Sequence, residues 1–170
     1  ELTLLVGHSG SGKTTVAQEL VNKGMKLFSG NKTVVSFHED LEAISGTTTM
    51  TTITKDLMKD QRKALVSPLQ SVEYGDRTAY RLKEEQYAQA GKISSIVLLR
   101  LSDGVYNFEK IEPRKALHTL YPYFLDTVNA DVIVGKDVFD GSTPKETKEY
   151  LARELAIALE RVPVFSAVGS

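Results

Sequence analysis

A glycine-rich segment near the start of the sequence combines the residue types that hold a polyphosphate. Residues 7–14 read GHSGSGKT and satisfy the spacing G-x-x-x-x-G-K-[ST] without deviation. Glycines let the backbone curl so that successive N–H groups point inward and form a concave anion site. Lys13 adds a full positive charge for the β- and γ-phosphates, and the hydroxyl of Thr14 is placed to bind Mg²⁺. The residues predicted to bind the phosphates are Gly7, His8, Ser9, Gly10, Ser11, Gly12, Lys13, Thr14 and Thr15.

Two predicted elements would position this phosphate loop, residues 7–14. Residues 2–6 (LTLLV) form a continuous apolar run, as expected of a strand that is buried on both faces. From Lys13 onward apolar residues recur at helical spacing, and Gly24 is placed to end the helix. The helix would add the partial positive charge of its amino end at the same point. The pattern therefore stands in the strand–loop–helix context that phosphate binding requires.

Strand-like and helix-like patterns alternate along the rest of the sequence. Such alternation is typical of βαβ units and a mainly parallel sheet, so we expect a P-loop three-layer α/β/α fold. The chain would form a single kinase domain over residues 1–170, with acceptor-binding or lid insertions around 45–80 and 110–125. Further strands are predicted at 33–37, 96–101 and 131–134, and further helices at 55–65, 80–90, 113–125 and from Pro144 onward.

Two stretches carry weaker patterns. Residues 45–54 are rich in threonine without a clear periodicity, and we expect a loop or an edge segment there. The tail from Pro163 is predicted to be a trailing edge or partly disordered.

The overall composition limits the partners and the compartment. The net charge of −1 gives no general electrostatic attraction to nucleic acid or to a membrane surface. No apolar stretch approaches the roughly 20 residues of a membrane span. The sequence has no cysteine, which excludes disulfides and thiolate metal sites and fits a reducing compartment. We therefore expect a cytoplasmic protein with no membrane partner and no general nucleic-acid binding, whereas the oligomeric state stays open.

The middle of the sequence resembles the centre of guanylate kinases. Residues 72–109 carry Glu73-Tyr74-Gly75, a helix-like segment that ends in Ala90-Gly91-Lys92, the apolar run 96–101, and Asp103-Gly104-Val105. Together with the phosphate loop, this stretch is similar to a divergent member of the guanylate kinase-like family of nucleoside monophosphate kinases. The resemblance implies phosphoryl transfer from ATP, with Mg²⁺, to a nucleoside monophosphate.

Candidate site residues follow from this resemblance and from position along the chain. In guanylate kinases, tyrosine hydroxyls and arginines hold the phosphate of the acceptor, and carboxylates read guanine. Asp103 follows an apolar strand, where a carboxylate can hold Mg²⁺ through water. The remaining predicted roles are acceptor binding for Glu73, Tyr74 and Tyr80, and catalytic charge stabilisation, together with Lys13, for Arg77 and Arg81.

Two alternatives to a nucleoside monophosphate kinase stay open, one with a different acceptor and one without catalysis. An alcohol acceptor must lose a proton, so a carboxylate should lie close to the phosphate loop. Glu39 and Asp40 follow the second predicted strand and are candidates for that general base. The alternative function is then a P-loop kinase of a nucleoside, a polynucleotide 5′ end or another small alcohol. A further alternative is a non-catalytic guanylate kinase-like binding module.

Overall fold

Nine strands and three α-helices lie along residues 1–53, 66–102, 104–128 and 145–169, which the computed structural model describes. The strands are β1 (Leu2–Val6), β2 (Thr33–Phe37), β3 (Leu41–Gly46), β4 (Thr49–Ile53), β5 (Val66–Tyr74), β6 (Arg77–Leu82), β7 (Gly91–Leu101), β8 (Asn107–Ile111) and β9 (Val164–Gly169). The helices are α1 (Lys13–Asn22), α2 (Pro113–Val128) and α3 (Lys145–Leu159), and a 3₁₀ turn covers Glu84–Gln86. The predicted elements at 55–65 and 131–134 lie outside the described residues, as does Asp103.

Strand β7 is the centre of the larger, six-stranded sheet. Its residues 96–98 pair in parallel both with residues 4–6 of β1 and with residues 164–166 of β9. The two neighbours therefore lie on opposite edges of β7, which explains why this strand is a continuous apolar run. Ile96 and Leu98 are 0% and 2% exposed, and they share a core with Leu120 of α2 and Leu155 of α3.

The prediction of a three-layer α/β/α fold with a mainly parallel sheet is wrong. In the larger sheet only β1–β7 and β7–β9 are parallel, whereas β2–β3, β3–β7 and β8–β9 are antiparallel. The second sheet, in the order β4-β6-β5, is antiparallel throughout. The connections at 38–40 and 75–76 are tight turns, and a parallel pair needs a crossover of a dozen residues or more. The described chain is a strand-rich mixed α/β structure.

The smaller sheet packs against α1, the helix that follows the phosphate loop. Alternate residues of β6 point toward the helix and are buried, because side chains of a strand alternate between its two faces. The cluster between helix and sheet consists of Val21, Leu27, Met50, Tyr80 and Leu82.

Several predicted elements are confirmed and two are wrong. The helices predicted at 113–125 and from Pro144 onward correspond to α2 and α3. Residues 49–53 form β4, an edge strand, within the stretch expected to be a loop or edge. The helix predicted at 80–90 is wrong, because β6 and the 3₁₀ turn occupy that stretch. The prediction that the tail from Pro163 is a trailing edge or partly disordered is also wrong, since β9 lies between β7 and β8.

None of the described helices combines the length and the apolar character that crossing a membrane needs.

Candidate phosphate-binding site

The phosphate loop joins the end of β1 to the start of α1 and lies against the main chain of β7. A Cβ atom on Gly7 would come within 2.7 Å of the carbonyl oxygen of Leu99, so only glycine allows this close approach. Gly10 and Gly12 have φ angles of 81° and 84°, in the left-handed region that glycine adopts without strain. The loop is therefore held in a tight curve at the end of two adjacent strands.

The amino end of α1 opens into the loop without a cap. Gly12 is the N-cap residue and has no side chain that could accept a hydrogen bond, and the first turn contains no acidic residue. The N–H of Val16 donates to the carbonyl oxygen of Gly12 at 2.9 Å. The N–H groups before Val16 in the first turn have no acceptor within the helix. These donors and the helix dipole favour an anion at this point.

Lys13 places its ammonium group inside the curve of the loop. Its Nζ donates to the carbonyl oxygens of Gly7 and His8, both at 2.7 Å, and lies 3.4 Å from Ser11 Oγ. Burial removes water from the ammonium group and lowers the pKa of Lys13 below its ordinary value. Among the described residues no carboxylate pairs with it. The loop thus holds a partly desolvated cation whose partners are neutral oxygens.

Helix α2 contacts the loop through an aromatic pair. The rings of His8 and Tyr123 lie 5.2 Å apart between centroids, at an interplanar angle of 49°. A tilted pair of this kind adds attraction beyond the area it buries. Sequence reasoning did not find this contact, because the helical spacing in α2 reveals an aromatic face but not what it packs against.

Thr14 carries a hydroxyl oxygen, the kind of ligand that Mg²⁺ takes, at the start of α1. Mg²⁺ prefers hard oxygen ligands and is commonly held by one or two protein groups together with phosphate oxygens and water. Thr14 lies in the first turn of α1, directly after Lys13. No group of three or more His, Cys, Asp or Glu side chains in the described ranges could hold a metal ion by itself. A magnesium ion here would therefore depend on the phosphates for most of its ligands.

The contacts of β6 with α1 run from the carboxyl end of the helix to its middle. Leu82 shares a cluster with Leu27, beyond the carboxyl end of the helix, whereas Tyr80 contacts Gln18 at its middle. The direction from Leu82 to Arg77 along β6 therefore leads toward the phosphate loop. About 10 Å of strand separate Tyr80 from Arg77. Exposed side chains at the turn between β5 and β6 include three predicted site residues, Glu73, Tyr74 and Arg77.

Two other predicted site residues of β6 lie elsewhere. Tyr80 is 1% exposed, and its hydroxyl donates to Oε1 of Gln18 at 3.2 Å, inside the cluster against α1. Arg81 follows on the opposite face of the sheet, and its Nε is buried without a hydrogen-bond partner. The structure therefore does not bring these two side chains to the phosphate loop.

The two candidate bases lie at the opposite end of β7 from the loop. Asp40 pairs with Lys92 at 2.8 Å, at the start of β7. The carbonyl oxygen of Glu39 accepts a hydrogen bond of 2.9 Å from Nη1 of Arg161. About 23 Å of strand separate Lys92 from Leu99, which lies beside the loop. Glu39 and Asp40 instead line a separate cleft of about 220 Å³.

No protein-family model, no curated protein and no solved structure matches this chain. Function is therefore inferred from the residues and from their geometry. The resemblance to guanylate kinases stays a prediction.

Proposed function

We propose that the phosphate loop binds the polyphosphate tail of ATP together with Mg²⁺, and that the protein transfers the terminal phosphoryl group to a small acceptor. The observation that carries the proposal is the position of Lys13. Its ammonium group is held by the carbonyl oxygens of Gly7 and His8, beside a helix amino end that lacks a cap. A cation and several N–H donors converge on one small volume, where an anion of high charge would be stabilised.

Binding of ATP would exchange the partners of Lys13. The ammonium group would leave the carbonyl oxygens for the charged oxygens of the β- and γ-phosphates, and hydrogen bonds between charged groups are the stronger kind. An oxygen of the acceptor would then attack the γ-phosphorus, and the bond from that phosphorus to the bridging oxygen would break, releasing ADP. Lys13 and the N–H groups of the first turn would offset the charge that develops on the bridging oxygen. Thr14 would hold the magnesium ion, which neutralises charge on the phosphates.

A nucleoside monophosphate is the acceptor that the surroundings favour. Its phosphate oxygen is already ionised, so transfer requires cations and positioning rather than a general base. Strand β6 leads from its cluster with α1 in the direction of the loop end of that helix, and the turn before it bears Glu73, Tyr74 and Arg77. By contrast, Glu39 and Asp40, the bases proposed for an alcohol acceptor, lie at the far end of β7. Because the sequence has no cysteine, which fits a reducing compartment, we also propose that the protein acts in the cytoplasm.

A coupled assay of ADP release tests the proposal. The screen compares nucleoside monophosphates, nucleosides and 5′-hydroxyl oligonucleotides as acceptors, each with MgATP. We expect release to depend on a monophosphate and to be lost in Lys13→Ala, whereas the exposed Lys23→Ala, at the other end of α1, stays active. Activity on an alcohol alone would contradict the choice of acceptor. ATP binding without turnover of any acceptor would favour the non-catalytic binding module.

A further inference from the structure

We propose that two copies of the chain associate by antiparallel pairing of their β8 strands, with a twofold axis at Phe108. Strand β8 is the last strand of the larger sheet, and within the described ranges it pairs with β9 alone. An edge strand presents a row of backbone donors and acceptors that a second strand can satisfy. A copy of the same strand would extend the six-stranded sheet across the axis.

The side chains of this edge are unusual for a surface that faces water. Phe108 is 65% exposed, and the neighbouring Tyr106 and Val105 are 77% and 50% exposed. Edges that stay unpaired are commonly protected by charges, prolines or bulges, and β8 carries the exposed charges of Glu109 and Lys110. Beside these charges, the exposed aromatic ring of Phe108 favours a partner that covers it.

Phe108 is already half of an aromatic pair. Its ring stacks on that of Phe165 in β9, with centroids 5.1 Å apart and an interplanar angle of 11°. Cross-strand neighbours lie on the same face of a sheet, so Phe108 from a second copy would extend this stack. The result is a row of four rings, Phe165–Phe108 from one copy followed by Phe108–Phe165 from the other.

Symmetry and charge select the register. A twofold axis perpendicular to the sheet keeps each side chain on its own face, so a residue can oppose only itself or a residue an even number of positions away. Axes at Asn107 or Ile111 would overlap the strands by a single residue pair. An axis at Glu109 sets two carboxylates directly opposite each other, and an axis at Lys110 does the same with two ammonium groups. Like charges in directly opposed positions are destabilising.

The register centred on Phe108 sets neither Glu109 nor Lys110 opposite its own copy, so it avoids both repulsive pairs. It sets Asn107 opposite Glu109 of the second copy, where the side-chain amide can donate to the carboxylate. By symmetry this contact forms twice. The dimer therefore joins an apolar pair at its axis to two polar contacts beside it.

The absence of cysteine from the chain allows a direct test by cross-linking. Residues directly opposed in an antiparallel pair have Cα atoms about 4.5–5.5 Å apart, within the range of a disulfide. Single-cysteine variants that keep Phe108, namely Asn107→Cys, Glu109→Cys and Lys110→Cys, are compared under mild oxidation with Tyr150→Cys, a control on exposed α3. We expect an equimolar mixture of Asn107→Cys and Glu109→Cys to form the covalent dimer fastest, because the register centred on Phe108 sets these two positions directly opposite each other. Faster cross-linking of Glu109→Cys or Lys110→Cys alone, or equal cross-linking of Tyr150→Cys, would overturn the proposed register.

Sedimentation of the unmodified protein tests the association itself. The mass should shift from 18.7 kDa toward twice that value as concentration rises. Phe108→Glu should lose the dimer, whereas Tyr150→Glu should keep it; circular dichroism confirms that each variant is folded, and Phe108→Ser replaces the first if it is not. A monomer at every concentration, or a Phe108→Glu variant that still forms the dimer, would overturn the proposal. Neither result depends on ATP binding.

Discussion

The hydroxyl of Tyr80 donates a hydrogen bond of 3.2 Å to Oε1 of Gln18, deep in the cluster that joins the smaller sheet to α1. Both side chains are fully or almost fully buried, at 1% and 0% exposure. Because α1 begins at the phosphate loop, this bond connects the sheet that bears the proposed acceptor side to the helix that bears the proposed donor side. Tyr80 therefore has a structural role through Gln18. Experiment can distinguish this role from contact with the acceptor.

Tyr80→Phe should lower stability and leave the KM of the acceptor unchanged. The substitution leaves Oε1 of Gln18 buried without its donor, which costs about 1–3 kcal/mol in the free energy of unfolding. Because Nε2 of Gln18 already has no partner, the double variant Tyr80→Phe/Gln18→Met should recover part of that loss. Urea unfolding and steady-state kinetics measure the two effects. A raised KM at unchanged stability would show instead that Tyr80 contacts the acceptor.

Gly7→Ala should weaken both folding and ATP binding. The added Cβ would lie 2.5 Å from Ser11 Oγ and 2.7 Å from the carbonyl oxygen of Leu99, and the latter belongs to the paired main chain of β7. Overpacking of this kind costs about 1–3 kcal/mol in the free energy of unfolding. Gly91→Ala, at the start of β7, is the matched control because its Cβ would meet nothing within 4 Å. Equal stability and equal ATP affinity in the two variants would refute the close approach.

The affinity for ATP should fall at alkaline pH in a way that depends on Lys13. Burial lowers the pKa of Lys13 below its ordinary value of 10.5, so the folded protein loses this proton before the unfolded chain does. Between the lowered pKa and 10.5 the unfolded chain binds more protons at this residue, and the contribution of Lys13 to stability rises with pH. ATP binding changes in the opposite direction, because it requires the charged ammonium group.

Titrations between about pH 7 and about pH 10 would measure this dependence. Lys13→Arg keeps its charge throughout, so its affinity should stay level over the range in which the wild type weakens. The comparison uses the slope of ATP affinity against pH in the two proteins, because the larger guanidinium group can change the affinity itself at every pH. Parallel slopes for the two proteins would contradict a titrating Lys13 in the site.

Asp40→Asn should retain most of the turnover. The carboxylate pairs with Lys92 across side chains that are 40% and 50% exposed, and pairs of this kind contribute less than about 1 kcal/mol to stability. It lies at the opposite end of β7 from the loop, so removing its charge should not touch the reacting groups. Measurement of kcat for Asp40→Asn beside Lys13→Ala decides the matter. Loss of turnover in Asp40→Asn would restore the hypothesis of an alcohol acceptor.

Local patterns predicted the parts of the structure that local forces determine. The strand–loop–helix unit at residues 2–22 depends on an apolar run, glycines and helical spacing that are all close together in the sequence. The curved backbone of residues 7–14 was predicted for the same reason, whereas its binding of phosphate stays a prediction. The amphipathic spacings of α2 and α3 likewise identified both helices.

The errors arose where long-range packing determines the structure. Residues 78–82 show alternate burial only because one face of β6 packs on α1, while the spacing of later apolar residues favours a helix. Strand β9 is short and ends in glycine, yet it becomes an inner strand by pairing with β7. The three-residue connection between β2 and β3 did carry a usable signal, because it fits a hairpin and excludes a parallel crossover.

Isothermal titration of the folded protein with MgATP tests the central claim most directly. We expect saturable binding by the wild type, binding weaker by about 10- to 100-fold in Lys13→Ala because a hydrogen bond from a charged group is lost, and wild-type affinity in Lys23→Ala. No heat of binding from the folded wild type, or equal affinity in Lys13→Ala, would contradict a polyphosphate site at residues 7–14.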